Sequence, residues 1–377
     1  MELGIHLAAA SNLSAAIERY ARCMLQIEPD CVWLSDRMLI DDYGPLAAYC
    51  GGDIYNSGDT CRSEDSSASG LPAEFLDPFL TVAALARRLP QQPRFGIAVT
   101  DFIRRAAPDL ARAAYTLNQQ LQMPLNLGFG AGEAINLTAL DYRHGPRPVT
   151  HLENSLKQFK QINDTGCYVN GEGRAVALGY NSFPSNIWIG GQRNRMLHIT
   201  ARYAAGWLPA WKMTPQEYGI AVATLRECAA ADFGAYPTLG LFAMPIIGHS
   251  KAALLEHFRS SPLARAVALM ASAELWRRWG LEHPAGADSK GLYDVVLSAI
   301  PTERVYRALL DVPAEMIADI LFLGNLQELL DEFWQFKAAG LQHLSLLLPD
   351  FENPRISYGV DNFDMEFNRL CREIKLW

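Results

Sequence analysis

The chain has 377 residues, half of them hydrophobic, with a net charge of −8 and an isoelectric point near 5.5. That supports a large core; the absence of any basic run argues against a nucleic-acid partner, and no apolar stretch is long enough to span a bilayer. Seven cysteines without a CxxC pair or metal-ligand spacing read as reduced thiols in a cytosolic protein; Cys50 and Cys61 share a polar loop, and free thiols are expected there too.

From the N-terminus, LGIHLAA (residues 3–9) reads as a strand rather than a signal peptide, because no basic region precedes it. Residues 12–25 carry apolar positions at helical spacing, and CVWLSD (31–36) is a second strand. Residues 77–89 form a helix capped by Asp77 with Pro78 in its first turn. A third strand, RFGIAVTD (94–101), a helix over 107–121 and a fourth strand, PLNLGFGAG (124–132), follow. Beyond a helix over 148–162, residues 167–178 predict a small hairpin turning at Asn170–Gly171. Strands at 185–191, 206–211 and 238–248 alternate with helices at 194–204 and 215–231. A long helical region spans 251–324, then a helix over 326–340, an eighth strand at 343–350 and a last helix.

Eight strands in βα alternation predict a parallel (β/α)8 barrel. A doubly wound open sheet is the rival, but its glycine-rich turn belongs after the first strand, and here the glycines follow the fourth. The expectation is one domain over 1–377 with two insertions, a lid-like or partly disordered polar segment at 39–74 and a helical cap at 251–324.

In such a barrel the chemistry lies at the carboxyl ends of the strands. That nominates His6 and Ala8, Asp36 and Arg37, residues 98–101, Glu133 and Asn136, residues 190–192, and Trp207 with Trp211. Each has a plain alternative: a satisfied histidine, a rim ion pair, core tryptophans, a tight turn. The segment NLGFGAGEAIN (126–136) needs more explanation, because its three alternating glycines end in a carboxylate. Glycines there would let a planar ligand approach the backbone. No P-loop, HExxH or GxSxG motif is present, which favours a borrowed cofactor over a side-chain nucleophile.

The chain resembles the bacterial-luciferase-like barrel superfamily over nearly its whole length. Within it, LGFGAGEAIN is similar to the Gly-x-Gly-x-Gly-Glu segment of members that use coenzyme F420, a deazaflavin. GIAVTDFIRR, NRMLHITARYAAGWLP, DPFLTVAALA and SSPLARAVALMASAELWRRWGLEHP resemble a subgroup typified by the phthiodiolone ketoreductases. The resemblance implies that Asp36 lies near the cofactor ring and that Ala98–Val99 is a non-prolyl cis peptide packed behind it. It implies cofactor contacts at Thr100, Gly130, Gly132, Asn136, Gly190, Gly191 and Gln192, and a proton-handling carboxylate at Glu133. It also implies a homodimer. Relatives place a histidine after the acidic residue of the second strand; here that position is Arg37, a poor general acid or base that can stabilise negative charge. His6 and Glu133 are then the candidates for proton transfer. The implied activity is hydride transfer between reduced coenzyme F420 and a carbonyl, imine or activated alkene of a small-molecule, natural-product-like substrate. The alternatives are a flavin mononucleotide (FMN) monooxygenase on the same barrel and a ligand-binding barrel without catalysis.

Overall fold

The computed structural model describes residues 1–7, 13–37, 46, 76–143, 145–178, 184–232, 235–348 and 363–377. The chain begins β1 (Glu2–Leu7), α1 (Leu13–Ile27), β2 (Cys31–Leu34), α2 (Pro78–Ala86), β3 (Arg94–Thr100), α3 (Ala107–Asn118), β4 (Asn126–Phe129), α4 (Ala134–Leu137) and α5 (Pro148–Thr165). The predicted hairpin follows as β5 (Cys167–Val169) and β6 (Ala175–Ala177), which pair antiparallel. Next come β7 (Asn186–Ile189), α6 (Asn194–Tyr203), β8 (Gly206–Trp207), α7 (Pro215–Asp232), β9 (Thr238–Ala243) and β10 (Pro245–Ile247). The insertion contains α8 (Lys251–Ser260), α9 (Ala273–Arg278), α10 (Thr302–Asp311) and α11 (Ala314–Ile317), ending in β11 (Phe322–Gly324). The chain closes with α12 (Leu326–Ala338), β12 (His343–Leu348) and α13 (Phe363–Lys375).

Eight of these strands form a closed parallel barrel in the order β1-β12-β9-β8-β7-β4-β3-β2. The closing pair sets Ile5 opposite Leu346. All eight predicted barrel strands are present, and the Asp77 cap is real: its Oδ1 accepts from the Phe79 and Leu80 amides at 2.9 and 3.1 Å.

Strand alternation divides the apolar residues between two compartments. Leu3, Ile5 and Leu7 of β1 join the large core under the helices, whereas Trp33, Trp188, Cys31 and Leu208 form a separate cluster in the lumen, with Ala98 and Phe242 against it. The two indoles meet edge to face at 5.1 Å. They fill the lumen only because their neighbours have no side chain: a β-carbon on Gly206 would lie 2.3 Å from the Trp188 ring, and one on Gly96 would lie 2.3 Å from Trp33. The Trp33 Nε1 donates to His343 Nε2 at 2.9 Å, and His343 Nδ1 meets Glu2 Oε2 at 3.1 Å, so the buried indole N–H has its partner.

Residues 238–248 are not one strand. After Ala243 the chain leaves β12, and β10 pairs parallel with β11, from Pro245 opposite Phe322 to Ile247 opposite Gly324. Pro245 has no N–H to extend the first ladder. Residues 251–324 are accordingly helical only in part: β11 lies among them, and residues 279–301 are turns and short 3-10 segments. The insertion has its own core, built on Leu254, Phe258, Trp276, Leu309 and Met316, and Leu46 packs into it. Lys212 fastens its end to the barrel: its Nζ donates to the Ala318 and Leu321 carbonyls at 2.8 and 2.9 Å and pairs with Glu332 at 2.6 Å. The rest of the lid-like segment, and Cys50 with Cys61, lie outside the described residues. Five described cysteines are free thiols. Among the described residues no helix is long and apolar enough to cross a membrane, and no group of side chains has a metal-binding arrangement.

The lumen packing makes a direct prediction. Gly206→Ala should lower the unfolding free energy by about 3 kcal/mol or prevent folding, because an indole ring cannot retreat from a filled lumen. Gly171→Ala, with nothing within 4 Å of its new carbon, should stay within about 0.5 kcal/mol of the parent protein in urea denaturation.

Candidate active site

The carboxyl end of β2 carries Ser35, Asp36 and Arg37, three consecutive residues with three different surroundings. Ser35 Oγ hydrogen-bonds His6 Nε2 at 2.7 Å, and the imidazole meets Phe242 edge-on at 4.7 Å. Burial lowers the His6 pKa to about 3. His6 is therefore neutral at physiological pH and is not an imidazolium acid. Its Nδ1 has no partner among the described residues.

Asp36, expected near the cofactor ring, has its carboxylate held by two guanidinium groups. Arg104 Nη2 lies 3.4 Å from Oδ2 and also donates to the Asp36 carbonyl at 2.6 Å, and Arg105 Nε lies 3.2 Å from Oδ2. Arg104 also bonds Asp101 at 2.6 Å, and Arg105 reaches Asp77 at 2.8 Å. This chain of alternating charges ties the ends of β2 and β3 to the cap of α2. Arg104 and Arg105 had no assigned part in the sequence reading; the adjacent arginines after Asp101 are its only local signal.

Arg37 and Glu133, two of the proposed catalytic residues, come together. Arg37 Nε lies 3.5 Å from Glu133 Oε2, joining the ends of β2 and β4. Asn136 Nδ2 donates to the same oxygen at 3.0 Å. Glu133 immediately precedes α4, a turn of helix that the sequence did not suggest, and Gly132 before it has φ 92°, a left-handed conformation suited to glycine.

The Ala98–Val99 peptide is cis, as the resemblance implies, and the β3–β4 register shifts between Ile97 and Thr100. A β-carbon on Gly130 would lie 2.8 Å from Val99 Cγ2, one on Gly190 would lie 3.1 Å from Val99 Cγ1, and one on Gly128 would lie 2.7 Å from the Ile97 carbonyl oxygen and 3.1 Å from Val99 Cγ1. All three glycines leave room for the Val99 side chain. Gly191 is held by its carbonyl, which accepts from Trp207 Nε1 at 2.7 Å, so Trp207 positions this turn from a fully buried place. At the same rim, Thr100 Oγ1 and Gln192 Oε1 are buried with no partner among the described residues.

One further residue arrives from the insertion. Tyr293 closes a 3-10 turn, Gly291–Tyr293, that packs on α4. Burial, then the charge of Glu133, push its phenol up to about 12. Nothing in the local sequence marks it, because its neighbour Glu133 is far away in the chain.

Buried polar atoms without partners cost about 1–3 kcal/mol each. His6 Nδ1, Thr100 Oγ1 and Gln192 Oε1, all at strand ends, fit a planar ligand with hydrogen-bonding edges. A closed parallel barrel with charged residues gathered at its carboxyl end has the architecture of a TIM-barrel enzyme. The chain belongs to the luciferase-like monooxygenase family, whose model matches residues 62–343. A phthiodiolone/phenolphthiodiolone dimycocerosates ketoreductase of Mycobacterium tuberculosis is 28% identical over 339 residues, covering 83% of this chain and 88% of the relative. Among solved structures, an F420-dependent secondary alcohol dehydrogenase with an F420-acetone adduct superposes with TM-score 0.66 at 15% identity, covering 98% of this chain and 97% of that one. A riboflavin lyase with modified FMN and riboflavin gives TM-score 0.64 at 12% identity, covering 99% and 91%.

The depressed pKa of His6 sets the sign of a pH effect. The unfolded chain takes up a proton near the ordinary value of 6.5, whereas the folded protein does so only near 3. Stability from this group is therefore complete above pH 6.5 and is lost on acidification, by about 1.4 kcal/mol per pH unit between those limits. His6→Asn should flatten the fall in urea midpoint between pH 6.5 and pH 4; an unchanged slope would place the dependence on other groups.

Proposed function

We propose that this protein is a coenzyme F420-dependent oxidoreductase that interconverts a carbonyl and an alcohol, or reduces a related imine or activated alkene, on an organic substrate. The observation that carries the reading is the Arg37–Glu133 pair, locked by Asn136 beside Gly132 at the end of β4. It places a fixed cation and a fixed carboxylate where the β2 and β4 ends converge. The ketoreductase name of a relative matched along most of both chains supports carbonyl chemistry. When bound, the deazaflavin supplies a hydride in a two-electron step.

The protein's own groups divide the remaining work. The Val99 side chain and the Gly190–Gly191 turn would support the ring, and Thr100, Gln192 and the Nδ1 of His6 would meet its polar edge. Asp36 fixes the β2 end through Arg104 and Arg105. Arg37 contributes charge: its guanidinium stabilises a developing oxyanion without supplying a proton. Glu133 accepts hydrogen bonds, and in the direction of alcohol oxidation it can receive the hydroxyl proton. The substrate is a small molecule, and a homodimer in the cytoplasm is part of this proposal.

FMN is the competing cofactor, since a structural neighbour holds a modified form of it. Fluorescence titration with coenzyme F420 and separately with FMN tests the choice. The expected result is an F420 dissociation constant at least about 10-fold below that for FMN, a difference of about 1.4 kcal/mol. Tighter FMN binding would move the activity to oxygen chemistry, and binding of neither would indicate a barrel without redox catalysis. Glu133→Gln should lower turnover with reduced coenzyme F420 by about 100-fold, within the usual range for general acid–base groups. Its affinity for oxidised coenzyme F420 should change little; unchanged turnover would remove Glu133 from the mechanism.

A further inference from the structure

β9 and the residues after it carry an apolar pattern that the charged pair leaves unused. A β-carbon on Gly240 would lie 3.0 Å from Leu208 Cδ1 and 3.3 Å from Trp188 Cζ3, so this position faces the lumen. Strand alternation turns Phe242 the same way, and Met244 is the next residue of that parity. Phe242 packs against the Trp33–Trp188 cluster and meets the His6 imidazole edge-on at 4.7 Å. Its amide donates to the Pro209 carbonyl at 3.1 Å, which draws the segment after β8 alongside. Two residues beyond Pro209, Trp211 packs against the core of the insertion, as Met244 does. Phe242, Met244 and Trp211 are each only half-buried, whereas Ala243 and Pro245 between and beside them are buried. Three apolar groups therefore present surface at the carboxyl ends of β8 and β9.

The barrel order sets what this wall faces. β9 stands four places from β3 around the closed eight-stranded sheet, across the mouth from it, and β2 and β4 flank β3. The Arg37–Glu133 pair, at the ends of β2 and β4, thus lies on the opposite side. A substrate held between the two sides meets charge on one and apolar surface on the other.

We propose that Phe242, Met244 and Trp211 are specificity-determining residues that receive an aromatic substituent of the substrate carbonyl, leaving the carbonyl oxygen directed to Arg37. The inference rests on the oxidoreductase reading above. The chemistry of the wall decides the class. Its members are two aromatic rings and a thioether, and ring–ring and sulfur–ring contacts add attraction beyond the area they bury. An alkyl chain of equal size gains only the area. The neighbouring cation, Lys212, is committed to the Ala318 and Leu321 carbonyls and to Glu332. A carboxylate on the substituent would therefore lose its hydration at the wall without gaining that partner.

The experiment uses the full chain without cofactor and two ketones of equal carbon number, 4-fluoroacetophenone and 8-fluoro-2-octanone, each titrated by ¹⁹F NMR. The parent protein should bind the aryl ketone at least about fivefold more tightly, the size that one or two such contacts supply. Phe242→Leu and Trp211→Leu should each cut this preference to below about twofold, whereas Phe242→Tyr and Trp211→Phe, which keep a ring, should retain it. Met244→Gln should weaken binding of both ketones, because it sets an amide in the wall. With reduced coenzyme F420 the same order should appear in kcat/KM. Equal or tighter binding of the alkyl ketone by the parent protein overturns the proposal. So does a preference that survives both leucine variants, binding of neither ketone, or the reverse order in kcat/KM. A protein that shows the ring preference but binds no coenzyme F420 would overturn the cofactor reading alone and leave the assignment of the wall in place.

Discussion

The side chain of Val99 occupies space that β-carbons at Gly128, Gly130 and Gly190 would otherwise claim, and the rim of the barrel is arranged around that packing. The chain turns at the cis Ala98–Val99 bond, and the two neighbouring strands accept the displaced side chain because they have none of their own there. From this seat β4 runs on to Gly132 and Glu133, and β7 runs on to Gly191 and Gln192. Glu133 and Gln192 thus follow, along the chain, from an apolar contact at Val99. A larger residue at any of the three glycines would disturb both together, because the lumen below is already filled by Trp33 and Trp188.

Two ionic systems meet at the rim, and they differ in kind. Asp36 and Arg104 have side chains only 2% and 5% exposed and share further bonds with Asp101. Breaking such a buried pair from one side typically costs about 3–5 kcal/mol. Arg37 and Glu133 are 23% and 22% exposed and meet at 3.5 Å. The first system is the more deeply buried and ties strand ends together, and the second lies nearer the surface at the adjacent position of the chain.

The barrel was legible in the sequence because its signals are local. Short apolar runs, helical spacing and the Asp77–Pro78 cap each declare themselves within a few residues. The departures arose where distant segments decide. The break at Met244 depends on β11 offering β10 a new partner, and residues 322–324 look like more of a helical stretch until that pairing exists. Of the candidate site, Arg37 and Glu133 were found from their places at strand ends, but their contact belongs to the closed barrel. The packing of Gly128 and Gly130 against Val99 was not legible, since no spacing rule connects them. The turn Gly291–Tyr293 left no trace, because the helix it packs on follows Glu133, far away in the chain.

The parallel pairing of β10 with β11 brings the two ends of the insertion side by side. Residues 248–321 leave the barrel and return to nearly the same point, so they form an excursion that does not interrupt closure of the eight-stranded sheet. An excursion of this kind is exchangeable. Its contents can diverge, lengthen or be replaced while the stem, fastened by Lys212, stays constant. Through the turn Gly291–Tyr293 the excursion packs on α4, so it touches the rim beside Glu133 while remaining apart from the barrel strands.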